Sequence, residues 1–386
     1  MDIKHLKDYF LKTYGSPGPE IRTFFAPGRI NLIGEHTDYN GGYVLPFAIN
    51  TGTYLLIRQN NTDTIRLKSL NFEYSASVEI AELGGKKISD WINYPIGVLN
   101  EFLNRELCIS GLDLMYIGTI PNGAGLSSSA SIEMVTAYAV NSLFGFEIEV
   151  PEMAKMCRHA ENTFVGMNCG IMDQFAVGLC KRNNALFVDC NTDEFSLVPF
   201  HPDNHQIVIV NTNKRRELTG SKYNERVAEC REAVKEITAV RPIENLSRIS
   251  YQEFNEINHL IKDETIRKRA LHVVSENRRV LEAVGHLKQN DYLNLGQKMI
   301  DSHASLKDNY EVTGYELDTM VEEALKIPGV TGSRMTGAGF GGCTVNLVEK
   351  SAVEYFVARL GKIYLEKTNL KADFYIASAS DGVREI

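Results

Sequence analysis

The sequence predicts an α+β fold of two domains, and three observations carry that expectation. The chain has 386 residues, and at roughly 100–200 residues per domain this length suits two. The second half orders its sheet-packing elements β-α-β-β-α-β, the split, ferredoxin-like pattern. Between them, Pro199 and Pro202 interrupt the pattern in the stretch Ser196–His205, where a boundary would fall. The expected units are therefore 1–198 and 199–386, with 199–386 ferredoxin-like.

Each element follows from local composition. In the first half Thr23–Ala26, Val44–Ile49, Thr53–Gln59, Thr64–Ser69 and Leu112–Gly118 are rich in β-branched and aromatic residues and predict strands. Trp91–Asn104 repeats apolar residues at helical spacing, and Ser129–Phe144 sets Ile132, Val135, Ala139 and Leu143 on one face. Pro151 suits the first turn of a helix through about Phe164. In the second half Gln206–Val210 predicts a strand. Long amphipathic helices follow, broken near Arg241–Pro242 and Gln289–Asp291. A helix is expected at about Tyr315–Lys326, strands at Val330–Met335 and Cys343–Val348, a helix at Ala352–Lys367 and a last strand at Asp373–Ala377.

Composition excludes several functions. Lys and Arg number 41 against 49 Asp and Glu, a formal charge of −8. Such a chain, without basic runs, is poorly suited to nucleic acid, whose binding needs cations to replace counterions. Phosphate affinity would have to be local, built from backbone N–H groups and a metal. The N-terminus MDIKHLKDYF alternates charge with apolar residues, unlike a signal peptide. No apolar run is long enough to span a membrane. Seven cysteines without a CxxC pair argue against a disulfide framework or zinc ribbon and for a cytoplasmic protein with mostly buried thiols.

Three glycine-containing segments carry the chemistry. PNGAGLSSSAS at 121–131 follows a strand and opens a helix, the geometry that aims N–H groups at an anion. No lysine follows, so it is not a Walker A loop; serine N-capping is the plainer alternative. TGAGFGGC at 336–343 formally satisfies GxGxxG, but it leads into a strand rather than a helix, which argues against a dinucleotide fold. GRINLIGEHTDY at 28–39 gathers Arg29, Glu35, His36 and Asp38 around two glycines. It suits a polar pocket for a hydroxyl-rich ligand, or a charged loop with satisfied ion pairs. It suits a metal less, because adjacent Glu and His side chains rarely converge on one ion.

Together these segments resemble the superfamily of galactokinase, homoserine kinase, mevalonate kinase and phosphomevalonate kinase, and within it the galactokinase family. Residues 28–39 are similar to the galactokinase signature, 121–130 to the superfamily phosphate loop, 334–344 to its third motif, and CGIMDQF at 169–175 to the stretch carrying the catalytic aspartate. The motifs span the chain from residue 28 to 344. The resemblance implies a ribosomal S5 domain 2-like N-terminal domain, a ferredoxin-like C-terminal domain and an active site in the cleft between them. It implies transfer of the ATP γ-phosphoryl group to the C1 hydroxyl of α-D-galactose, with Mg²⁺. Galactose and ATP are the expected partners, with no nucleic acid and no membrane, and a monomer is the expected state. Asp173 and Arg29 fall on the catalytic pair. Glu35, His36, Thr37, Asp38, Gly170, Asp173 and Tyr223 fall on sugar positions, and Ser129 and Glu161 on metal positions. Gly123, Ala124, Gly125, Leu126, Ser127, Ser128 and Ser129 fall on the phosphate loop, with Ser69, Trp91 and Tyr94 toward the adenine. A sister sugar kinase, acting for example on N-acetylgalactosamine, is the nearest alternative. A catalytically silent sugar and ATP sensor is a second, disfavoured by the intact Ser129 and Ala130. Neither HRD nor DFG appears, which argues against a protein kinase.

Overall fold

Among the described residues the first half folds into eight strands and five α-helices. A computed structural model describes all residues except 1, 16–17, 86, 89, 122–124 and 215–218. The strands are β1 (Arg22–Asn31), β2 (Tyr43–Val44), β3 (Pro46–Gln59), β4 (Thr64–Ser69), β5 (Ser75–Glu79), β6 (Leu112–Gly118), β7 (Asn184–Asp189) and β8 (Glu194–Pro199). The helices are α1 (Ile3–Tyr14), α2 (Asn93–Asn104), α3 (Ser128–Phe144), α4 (Val150–Ala160) and α5 (Met172–Leu179). The second half adds α6 (Thr219–Thr238), α7 (Tyr251–Ile257), α8 (Glu264–Lys288), α9 (Tyr292–Ser305), α10 (Tyr315–Ala324) and α11 (Val353–Thr368). Its strands are β9 (His205–Asn211), β10 (Val330–Thr336), β11 (Cys343–Glu349), β12 (Asp373–Ala377) and β13 (Arg384–Glu385).

The large sheet runs β13-β1-β3-β6-β4-β5 and the second β10-β11-β9-β12, with a small sheet β2-β7-β8 between. The second order is that of a split βαβ fold, as expected. Its helix α11 packs Phe356, Leu360 and Tyr364 against Val208, Val210 and Val348. Under the first sheet, α3 presents Met134, Val135, Ala137 and Val140 to Phe24, Leu55 and Leu114. Small residues on α3 let it lie close to the strands.

Three details depart from the sequence reading. The strands expected at Val44–Ile49 and Thr53–Gln59 are largely one, β3, which runs unbroken from Pro46 and shifts register against β1 between Pro27 and Arg29. The helix expected to reach Phe164 loosens after Ala160 into one wider π turn, Glu161–Val165, a local irregularity often found at functional sites. The chain end does not stay with the second half. Arg384 and Glu385 pair with Phe25 and Phe24 of β1, and Arg22 grips Glu385 at 2.8 and 2.7 Å. The expected unit 199–386 therefore loses its last residues to the first sheet. Among the described residues, no helix is long and apolar enough to cross a membrane. Four of the seven thiols, Cys157, Cys180, Cys230 and Cys343, are buried.

Candidate active site

The site is assembled where β1, the turn before α3 and the start of α5 meet. Asp173 lies in the first turn of α5, where the helix dipole favours a carboxylate. Arg29 reaches it from β1. Its Nε donates to Asp173 Oδ1 at 2.7 Å and its Nη2 to Oδ2 at 2.9 Å, the two-pronged geometry in which guanidinium suits carboxylate. The third arm, Nη1, donates to the Gly125 carbonyl at 2.9 Å. Burial works against the Arg29 charge, but Asp173 and then Glu35 hold its pKa above the ordinary arginine value. Ser127 takes a left-handed backbone, φ 60°, and its Oγ donates to Asp173 Oδ2 at 2.5 Å. One carboxylate is thus fixed by two side chains from two different motifs.

Helix α3 begins at Ser128, and among the described residues no side chain caps it. Its first N–H groups have no intrahelical partner, so they remain available to an anion. Ser128 and Ser129 line two cavities at once. The larger, about 340 Å³, is walled by Arg29, Glu35, His36, Asp38, Glu161, Gly170, Asp173 and Tyr223. The smaller, about 150 Å³, is walled by Ser69, Phe72, Trp91, Tyr94 and Tyr116. Here the indole of Trp91 meets Tyr116 edge-on at 5.5 Å. Ser69 and Trp91 thus share a pocket with three further aromatic side chains at the α3 N-terminus. Leu126 lies in neither wall. It is 1% exposed, and its carbonyl accepts the Arg29 backbone N–H at 3.1 Å, so it shapes the turn from within. Gly123 and Ala124 lie outside the described residues.

Carboxyl groups concentrate beside Ser129. Burial and then Asp173 raise the pKa of Glu161, while bonds from Cys169, Ser129 and Gln174 partly offset them. Glu133, on the buried face of α3, is raised too, by burial and then by Glu161. Gln174 Nε2 joins the two carboxyl groups, at 2.8 Å to Glu161 and 3.1 Å to Glu133. Among the described residues no three His, Cys, Asp or Glu side chains converge to hold a metal ion. A hydroxyl and a carboxylate, in a pocket open to phosphate oxygens, nevertheless suit a hard cation that keeps several waters. A cation there would favour ionisation of the Glu161 carboxyl, which burial and Asp173 otherwise oppose.

The loop after β1 supplies the other wall. Glu35 is 2% exposed, and its Oε1 accepts from the Gly337 N–H at 2.7 Å and the Thr336 hydroxyl at 2.9 Å. His36, also at positive φ, meets the Tyr39 hydroxyl through Nδ1 at 2.8 Å. Burial and then His272 lower its pKa to about 3, so the ring is neutral near neutrality. Asp38 is pushed up to about 7 by burial and then by Asp173. Gly170 touches it closely: a Cβ there would lie 2.3 Å from Asp38 Oδ2, so any side chain would displace the carboxylate. Tyr223 packs its ring 5.7 Å from that of His36 and 5.2 Å from that of Tyr39. Thr37 departs from the expected sugar contact. It is fully buried and outside the cavity wall, with its hydroxyl spent between the Gly34 and Tyr43 carbonyls at 2.8 and 2.7 Å.

Sequence comparison agrees with this geometry. Residues 8–59 match the galactokinase galactose-binding signature, 93–181 the GHMP kinases N terminal domain and 281–365 the GHMP kinases C terminal domain. The galactokinase of Fusobacterium nucleatum is 50% identical over 100% of this chain and 98% of its own. That of Bacillus subtilis is 45% identical over 99% of each. The chain belongs to the galactokinase family. The crystal structure of Lactococcus lactis galactokinase complexed with galactose superposes with a TM-score of 0.97, at 42% identity and with both chains fully covered. Methanococcus jannaschii mevalonate kinase shares the fold, TM-score 0.68 at 21% identity over 95% of this chain and all of its own. This chain is an ATP-dependent sugar kinase of two α+β domains.

Several residues around this site escape sequence reasoning. Arg334, on β10, is fully buried and donates from Nη1 to the Asn31 carbonyl at 2.9 Å, near Glu35. Its motif was visible, but its partner lies about 300 positions away. Glu133 and Gln174 sit inside apolar helical patterns that disguise a buried polar cluster. Phe72 leaves no periodic signal, because it follows a strand end.

Proposed function

We propose that this kinase transfers the γ-phosphoryl group of ATP to the C1 hydroxyl of α-D-galactose, releasing ADP. One observation carries the reading: Asp173, held by Arg29 and Ser127, faces the same cavity as the N-terminus of α3. His36, Asp38, Gly170 and Tyr223 would meet the sugar hydroxyls, with Glu35 bracing the loop through Thr336 and Gly337. The N–H groups of 125–129, with Gly123 and Ala124, would cradle the phosphates. Ser69 and Trp91 would bound the adenine.

Ser129 and Glu161 would hold Mg²⁺, which when bound neutralises charge on the transferring phosphoryl group. The chain's own residues do the remainder. Asp173 orients the C1 hydroxyl and takes its proton late, since a loose transition state asks little of a base early. Arg29, tied to both Asp173 and Gly125, fixes the distance between acceptor and phosphate loop and stabilises developing negative charge. The cytoplasm is the expected compartment and a monomer the expected state.

ADP release from Mg-ATP with galactose, glucose and N-acetylgalactosamine tests the reading. Turnover with galactose alone is expected. Turnover with N-acetylgalactosamine instead would make this a sister sugar kinase, and turnover with none would refute the kinase reaction.

A further inference from the structure

Helix α8 belongs to the second half of the chain, yet one face of it is bonded to the loop 34–43 of the first half. Asn277 Oδ1 accepts the Tyr43 N–H at 2.9 Å. Glu276 Oε1 accepts the Gly34 N–H at 3.0 Å. His272 Nε2 lies 3.1 Å from the Glu35 carbonyl. A carbonyl only accepts, so Nε2 carries the proton and Nδ1 accepts from the Ser305 hydroxyl at 2.9 Å. The spacing puts 272 and 276 on one face of the helix, with 277 one residue further round. All three are buried, and none lines either cavity at the α3 N-terminus.

Each of these bonds ends on the loop's backbone, while the loop's side chains Glu35, His36 and Asp38 face the cavity. Gly34 sits at φ +102°, and a Cβ on it would lie 2.5 Å from the Tyr43 carbonyl. The loop therefore doubles back on itself between its two anchored N–H groups. The Gly34 bond is buried and the Tyr43 bond part-buried, and both would be lost if α8 moved away, a cost that ties loop shape to helix position. Glu276 is itself held by Arg279 Nε at 2.7 Å and by the Ser302 hydroxyl at 2.6 Å, so the anchor is rigid.

We propose that α8 is a latch on the sugar loop, with His272, Glu276 and Asn277 acting as positioning residues for sugar selection through the backbone of residues 34–43. The proposal rests on the reading of the larger cavity as the sugar site. It implies that nucleotide binding at the α3 N-terminus is nearly independent of the latch. It also implies reciprocity: sugar that favours the latched loop must favour docking of α8.

The test uses the full-length protein and Asn277→Ala, with steady-state kinetics and hydrogen exchange. For Asn277→Ala, KM for galactose should rise by about tenfold, the loss expected for one buried hydrogen bond. KM for ATP should stay within about twofold, and kcat at saturating galactose should be largely kept. Amides of residues 34–43 should exchange faster in the unliganded variant. In the parent protein galactose alone should slow exchange in residues 272–277, and this arm does not depend on the variant folding. Equal rises in both KM values, or an unchanged loop exchange rate, would overturn the latch. Absence of any galactose turnover by the parent protein would instead strike the functional reading, leaving the unliganded exchange comparison to judge the latch alone.

Discussion

Asp173 accepts from Arg29 through both carboxylate oxygens and from Ser127 through one. Replacing it with Asn keeps the shape but gives up the proton acceptor and the charge that matches Arg29. Asp173→Asn should lower kcat by roughly 10²-fold or more, with galactose affinity by calorimetry changed little; near-parental kcat in a folded variant would remove Asp173 from the reaction. Asp38 gives a different residue-scale signal. Its carboxyl is raised to about 7, against an ordinary value of ~3.9. Between those values the folded protein keeps a proton that the unfolded chain gives up, so Asp38's contribution to stability falls as pH rises from about 4 to about 7. His36 and His272, lowered to about 3 and about 4 by burial first, act oppositely, adding stability as pH rises toward ~6.5. The test is therefore a difference: Tm of Asp38→Asn minus parental Tm should grow more positive from pH 5 to pH 8, and a constant difference would contradict it. Much of this site was legible because its residues cluster in short motifs. Thr37 was misplaced because a motif shows which residues are present but not which way a hydroxyl turns inside a doubled-back loop.

Elements explain why the motifs had to sit where they do. Helix α3 offers its uncapped N-terminus to both cavities, and Ser129 stands at their border opposite Glu161. Removing that hydroxyl should affect the metal–nucleotide side and spare the sugar side. Ser129→Ala should raise the Mg²⁺ concentration for half-maximal activity by roughly threefold to tenfold, in line with the loss of one polar contact to a charged partner. Galactose binding by calorimetry should be unchanged; equal weakening of both ligands would argue for general damage to the α3 start. The strands β9 to β12 and the helix α11 were legible because long amphipathic or apolar runs repeat at their own period. The hairpin β7–β8 and the two-residue β13 were not, because so short a run carries little periodicity and only a neighbour across the sheet defines it.

At the scale of the whole molecule, each half has apolar clusters of its own, but a further one is shared. One apolar cluster joins Ile30, Leu32, Leu45 and Phe47 from the first half to Ile207, Val280, Leu295 and Val345 from the second. The chain end then crosses back to close the edge of β1, and Arg384 lies 4.8 Å above the ring of Phe25. A cut near residue 198 would part the other strands of the first sheet from their edge strand β13, strip the shared cluster and expose buried side chains each worth roughly 1.5–3 kcal/mol of burial. That exceeds what a marginally stable domain can lose. A fragment of residues 1–198 should therefore fail to give a cooperative unfolding transition on its own. The full chain should unfold in one transition, its calorimetric and van't Hoff enthalpies agreeing. Co-expressing 1–198 with 199–386 should recover soluble complex, because the cluster can re-form between chains. A fragment 1–198 that melts cooperatively near the parental Tm would show that the shared cluster is an ordinary interface between independent units. The cleft would then have to be held by α8 and the loops alone.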